Sequence, residues 1–186
     1  MTKLIGRLAA PLLLAVLALL VATGCGPKWE VVKEASPNPF TQSSKFAPAP
    51  PTYEGLMVGS KSEQEYLSEK DPETQTGWQN DKKAMVDAFM DGFNGEREAV
   101  QTGAGEYAIA SHITSIEPGY YAGVAAAPAE VRIDVKIFDK AGALVDEITI
   151  TAKGGGMSTT QRLRTAAKQL GATVAKYLKK RTGNAS

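Results

Sequence analysis

The chain has 186 residues, with 21 Lys and Arg against 20 Asp and Glu, a single histidine and a single cysteine. This balance leaves no basic field of the kind that binds nucleic acid, and no strong acidic one. One histidine, His112, and one cysteine, Cys25, fall short of the ligand sets of zinc, copper, iron–sulfur or haem sites, so neither a metal nor a cofactor is expected.

Met1 to Arg7 holds two cations, Lys3 and Arg7, and no acid, and Leu8 to Ala22 is uncharged and apolar apart from Pro11. That apolar run is shorter than the roughly 20 residues of a spanning helix and fits the core of a cleaved secretion signal. It closes on Val21-Ala22-Thr23-Gly24-Cys25, which resembles the lipobox of bacterial lipoproteins, with Ala22 where that family most often has Leu. The resemblance implies that residues 1–24 are removed as a signal peptide. It also implies that the Cys25 thiol takes a diacylglycerol and its freed amine a further acyl chain. Each buried methylene contributes about 0.8 kcal/mol, so two or three chains hold a protein firmly on a bilayer. Gly26 is not the Asp that, in enteric bacteria, resembles an inner-membrane retention signal. The expected location is therefore the outer membrane, with the domain in the periplasm. Cys25 so used leaves no thiol for a disulfide or a nucleophile.

The remaining length suits one domain with a real core. Residues 25–52 read as anchor and tether, because Pro27, Pro37, Pro39, Pro48, Pro50 and Pro51 favour extended chain over helix. Two apolar islands interrupt the tether, Trp29 to Val32 and Phe40 to Phe46, and each is open to docking along the domain or forming an edge strand.

The domain is placed at residues 53–181, with a flexible tail at 182–186. Tyr53 to Val58 reads as a first strand. Ser62 three residues before Glu65 makes a capping box, which predicts a short helix to about Lys70. Asp71-Pro72 interrupts it. From about Glu73 to Phe93, Trp78, Met85, Val86, Phe89, Met90 and Phe93 form the stripe of an amphipathic helix. A strand is predicted over 105–116. Val131, Ile133, Val135 and Ile137 alternate with Arg132, Asp134 and Lys136, the pattern of a half-buried antiparallel strand. Asp139 to Gly142 supplies a hairpin turn and Leu144 to Ala152 the returning strand. Ser158, Thr159 and Thr160 are candidate caps for a last helix, whose stripe runs Leu163, Ala167, Leu170, Val174, Tyr177 and Leu178.

The predicted fold is α+β: a mostly antiparallel or mixed sheet of about four strands, with two amphipathic helices on one face. Asp139 to Gly142, Gly154 to Gly156 and the Leu163 to Leu178 stripe resemble small α/β lipoproteins of Gram-negative envelopes and, more distantly, the amino-terminal domain of TolB. That resemblance implies envelope adaptor or assembly work without catalysis.

Candidate sites are few. Gly154 to Gly156 lacks the Lys-Ser/Thr of a phosphate loop and reads as a flexible strand-to-helix turn. His112 has no nameable catalytic partner and reads as a structural or surface residue. Glu63, Glu65, Glu69, Asp71 and Glu73 lack a calcium-loop pattern; Glu65, Glu69 and Glu73 read as one solvated helix face. Tyr120 and Tyr121 open a loop without core periodicity, which either packs over a sheet edge or forms a contact surface. Lys176, Lys179, Lys180 and Arg181 could meet lipid headgroups or peptidoglycan, although complementing the dipole at a helix end accounts for them. No catalytic residue is named. The expectation is a non-enzymatic adaptor, held to the membrane through lipid on Cys25 and binding an envelope protein. The alternative is a module that binds a small envelope glycan or lipid.

Overall fold

The computed structural model describes residues 28–96, 101–102 and 105–183. The signal segment and Cys25 lie outside the described residues. In chain order the elements are strands β1 (Trp29–Lys33), β2 (Lys45–Pro48), β3 (Met57–Val58) and β4 (Lys61–Ser62), then helices α1 (Glu63–Ser68) and α2 (Pro72–Gly95). Strands β5 (Gln101–Thr102), β6 (Tyr107–Glu117), β7 (Tyr120–Tyr121), β8 (Ala126–Ala127), β9 (Ala129–Asp139) and β10 (Leu144–Gly154) follow, and helix α3 (Thr159–Arg181) closes the chain.

Three strands of 11 residues, β6, β9 and β10, pair antiparallel and form the centre of the sheet. The alternation read in β9 is realised strand-long: Ala129, Val131, Ile133, Val135 and Ile137 are all fully buried on one face. Both long helices cover that face. The stripe Leu163, Ala167, Leu170, Val174, Tyr177 and Leu178 is buried along α3, and Trp78, Met85, Phe89 and Phe93 are buried along α2. Each such side chain contributes roughly 1.5–3 kcal/mol by leaving water, so the face is set by hydrophobic patterning before any polar contact is counted. The predicted caps are present. Ser62 and Glu65 form the reciprocal capping box of α1, while Asp71 caps α2, with Pro72 in its first turn, and Ser158 caps α3.

The α+β class holds, but the sheet has eight strands among the described residues, in the order β1-β10-β9-β6-β2-β5, with β3 and β4 off this path. Two additions come from the segment read as a tether. β1 pairs antiparallel with β10, Trp29 opposite Ile150, and β2 runs parallel to β6, Phe46 opposite Tyr107. Proline signals extended chain without saying whether that chain is free or paired, and both strands find partners far away in sequence. The expected strand at Tyr53 to Val58 is reduced to Met57–Val58. Tyr53 instead turns inward, its hydroxyl donating to the Lys82 carbonyl at 2.9 Å. Thr182, placed in the tail, is buried and caps α3.

Two further corrections concern candidate motifs. Gly154 is not a flexible joint: it is the buried last residue of β10, and a Cβ there would lie 1.9 Å from the Arg162 carbonyl oxygen of α3. The acidic run is not one helical face either, because α1 ends at Ser68 and α2 starts afresh at Pro72. Its members have separate tasks. Glu65 and Asp71 cap helices, Glu69 pairs with Lys61, and Glu63 accepts from Trp78 Nε1 at 2.7 Å and Lys82 Nζ at 2.8 Å.

Candidate functional site

Tyr120 and Tyr121 lie in a short hairpin standing off the end of the sheet between β6 and β9. Tyr120 pairs with Ala127 and Tyr121 with Ala126, and Ala122 N–H donates to the Ala125 carbonyl across the turn at 2.8 Å. Both tyrosines are exposed, 56% and 48%, and Val124 at the tip is fully so. Packing over a sheet edge, the simpler of the two readings, would have covered these rings.

The base of the hairpin is held firmly. Gly119 has φ +64°, and a Cβ there would meet the Ala127 and Pro128 carbonyl oxygens at 2.4 and 2.5 Å, so only glycine fits. Beside it, Arg162 of α3 is almost completely buried. Its Nε donates to the Pro118 carbonyl at 3.1 Å, Nη1 to the Gly156 carbonyl at 3.3 Å and Nη2 to Thr159 Oγ1 at 3.1 Å. One guanidinium thus ties the hairpin base, the strand-to-helix turn and the first turn of α3. Met157, on that turn, is also exposed. Hairpin and turn together present tyrosine, valine and methionine on a clamped support, and of these tyrosine and methionine are enriched in protein contact surfaces.

His112 occupies a different region, the sheet face that α2 and α3 leave open. Its Nδ1 lies 3.0 Å from Thr52 Oγ1, and its cross-strand partner is Asp134. Asp134 in turn accepts from Thr149 Oγ1 at 2.7 Å. Thr52, Glu54, His112, Asp134 and Lys136 line a shallow cavity of about 530 Å³ there. A smaller one of about 330 Å³ lies between the helices, lined by Asp91, Thr160, Arg164 and Lys168 among others. Tyr120 and Tyr121 line neither. Among the described residues, no group of three or more His, Cys, Asp or Glu is placed to hold a metal ion.

The strongest polar assembly was not foreseen. Asp146 is fully buried and accepts from Tyr177 Oη at 2.6 Å, Arg181 Nε at 2.8 Å, Arg181 Nη2 at 3.2 Å and Ala35 N at 2.9 Å. Arg181 also donates to Glu34 Oε1 at 3.1 Å and the Ala35 carbonyl at 3.2 Å, and its own carbonyl accepts from Asn38 Nδ2 at 2.7 Å. Burial, and then the bond to Asp146, push the Tyr177 hydroxyl far above its ordinary range, so it remains a donor. Burial opposes the charge on Arg181, but its bond and attraction to Asp146 outweigh this and raise its pKa. The assembly fastens residues 29–40 to the end of α3. It is a structural clamp with its hydrogen-bonding capacity spent internally.

The fold defines a class: a small α+β domain whose mixed sheet is covered on one face by two long helices and open on the other. No known family model matches the sequence, and no curated protein sequence does. Among solved structures, the chain is similar to protein XCC0632 from Xanthomonas campestris, described under DUF330. The identity is 11%, over 82% of this chain and 94% of that one, with a TM-score of 0.50. Two structures of the PelC dodecamer from Paraburkholderia phytofirmans are also similar, each at 10% identity with a TM-score of 0.43. They cover 80% and 78% of this chain against 96% and 97% of theirs. At 11% identity the likeness to XCC0632 is one of fold, so a bacterial protein shares this architecture.

Proposed function

We propose that this protein is a lipid-anchored, non-catalytic adaptor of the bacterial envelope, held at the outer membrane through Cys25 and binding another envelope protein through the Tyr120–Ala127 hairpin. The observation that carries this reading is the clamped hairpin, with its exposed Tyr120, Tyr121 and Val124 fixed by Gly119 and the buried Arg162. Large apolar side chains held out on a fixed support favour association, because the ordering of the surface is complete before the partner arrives. A binding role is further supported by the buried and half-buried acids, which are engaged by structural partners: Asp146 by Arg181 and Tyr177, Glu63 by Lys82 and Trp78. The lipobox-like Val21 to Cys25 supplies the anchor.

The test is site-specific photocrosslinking in intact cells. A photoreactive residue in place of Tyr121 gives a discrete adduct with one envelope protein, while the same residue in place of Lys153, on the open sheet face, gives none. Identical adduct patterns from both positions, or none from either, contradict the hairpin as contact surface.

The cavity at Thr52, Glu54, His112, Asp134 and Lys136 favours the second reading, a module for a small envelope glycan, whose hydroxyls these groups suit. Saturable binding of a soluble glycan fragment, lost in Asp134→Asn, would support it. Binding that survives this change places any glycan elsewhere.

A further inference from the structure

β1 starts at Trp29, four residues after Cys25, and is bound into the sheet at its edge. Four residues of extended chain reach about 14 Å. That is no more than the radius of gyration of about 15 Å expected for a domain of this size. An anchor on Cys25 therefore cannot hold the domain at a distance: the β1 edge itself must stand at the bilayer.

The surface of that edge is suited to the task. Val31 and Val32 are exposed, 49% and 61%. Trp29 packs edge-on against Tyr177, ring centroids 5.6 Å apart, and Lys180 Nζ lies 5.7 Å from the Trp29 ring centre. Lys28 precedes the strand and Lys33 ends it, one of its ammonium protons donated to the Leu144 carbonyl at 2.6 Å; both are exposed, as is Lys180. On the acidic side stand Glu30 and Glu34, the latter 3.1 Å from Arg181, whose charge it shares with the buried Asp146. Exposed aliphatics and a tryptophan ringed by lysines match the chemistry of a bilayer interface, where aromatic rings sit at headgroup level and lysines snorkel to anionic lipid. The backbone groups on the outer side of β1 are an open template for strand pairing, which a headgroup layer covers with water and phosphate.

We propose that the β1 edge, comprising Lys28, Trp29, Val31, Val32, Lys33 and Lys180, lies against an anionic lipid surface and fixes the orientation of the domain on it. The proposal rests on the lipid anchor at Cys25 and adds to it a defined face.

The experiment uses the full-length protein purified from membranes and reconstituted into vesicles of phosphatidylethanolamine and phosphatidylglycerol with brominated acyl chains. The chain has two tryptophans, Trp29 and Trp78, and Trp78 is buried in the core. Wild-type emission should be quenched by the bromolipid, and the quenching should disappear in Trp29→Phe. In a Lys28→Gln, Lys33→Gln, Lys180→Gln variant it should fall at least twofold while the anchored fraction stays constant. Mass measurement of the same samples reports lipid on Cys25. A lipidated, vesicle-bound protein with no Trp29 quenching overturns the proposed orientation and leaves the anchor standing. An unmodified Cys25 overturns both. Efficient disulfide joining of two copies through Val32→Cys shows the edge covered by a second copy of the chain, and overturns the lipid surface as its occupant.

Discussion

Asp146→Ala is the most demanding test of the clamp between the amino-terminal segment and α3. The substitution removes the acceptor of four hydrogen bonds, from Tyr177, Arg181 Nε, Arg181 Nη2 and Ala35 N, at a fully buried position. Breaking a buried ion pair by deleting one partner costs about 3–5 kcal/mol, because the other charge is left uncompensated. The orphaned Tyr177 hydroxyl and Ala35 amide would each add about 1 kcal/mol or more, while Glu34 remaining on Arg181 relieves part of the loss. The net expectation is about 4 kcal/mol. With a urea dependence of about 2 kcal/mol per molar, the unfolding midpoint followed by tryptophan fluorescence drops by about 2 M. Hydrogen exchange should show the loss first in β1, whose attachment depends on this carboxylate. The paired change Asp146→Leu with Arg181→Met should recover most of the stability, since apolar replacement of a buried ion pair is often neutral. A midpoint shift below about 0.5 M, or β1 amides that keep their protection, would refute the reasoning.

Tyr177→Phe should destabilise by about 2 kcal/mol in the same assay, as it removes one charge-assisted bond without emptying the core. Gly119→Val should abolish the Tyr121 photoadduct while lowering global stability by only about 1–3 kcal/mol, because the strain is confined to the hairpin base. Arg162→Met should cost about 2–3 kcal/mol by stranding the Pro118 and Gly156 carbonyls, and should weaken the same adduct. The capping carboxylates make a prediction about acid. Bonds from Ser62 to Glu65 and from Thr74 to Asp71 lower both pKa values. A carboxylate whose pKa is depressed on folding contributes above its unfolded value and loses that contribution as pH falls through its folded value. The Ser62 and Thr74 amides, which donate to these carboxylates, should therefore be protected relative to their intrinsic exchange rates at neutral pH and lose that protection below the ordinary carboxylate range. Rates there that do not change with acid beyond the intrinsic dependence would contradict the caps.

Local signals carried much of the fold. The alternation from Val131 to Ile137, the caps at Ser62 and Ser158, and the Leu163 to Leu178 stripe each reflect interactions within a few residues, and each element formed where they pointed. Non-local pairing was invisible. Trp29 finds Ile150 and Phe46 finds Tyr107 only once the sheet exists, and a proline-rich stretch reads alike whether it is free or paired. Asp146 falls by simple alternation on the face of Ile148, Ile150 and Ala152, beyond a register shift that leaves Val145 as the extra residue; what stayed hidden was the distant Tyr177 and Arg181 that satisfy its carboxylate. Arg181 read as a charge complementing a helix dipole, although its partner lies on a distant strand. At the candidate site, Tyr120 and Tyr121 stood out by composition. Arg162, Val124 and Met157 did not, since nothing local distinguishes a buried clamping arginine from a solvated one.

The proposed lipid anchor on Cys25 determines where this domain is held, and the mass of the mature amino-terminal peptide tests it directly. A chain starting at Cys25 and carrying a diacylglycerol with a further acyl chain is the predicted result. A free thiol on Cys25, or a mature start at another residue, would contradict it.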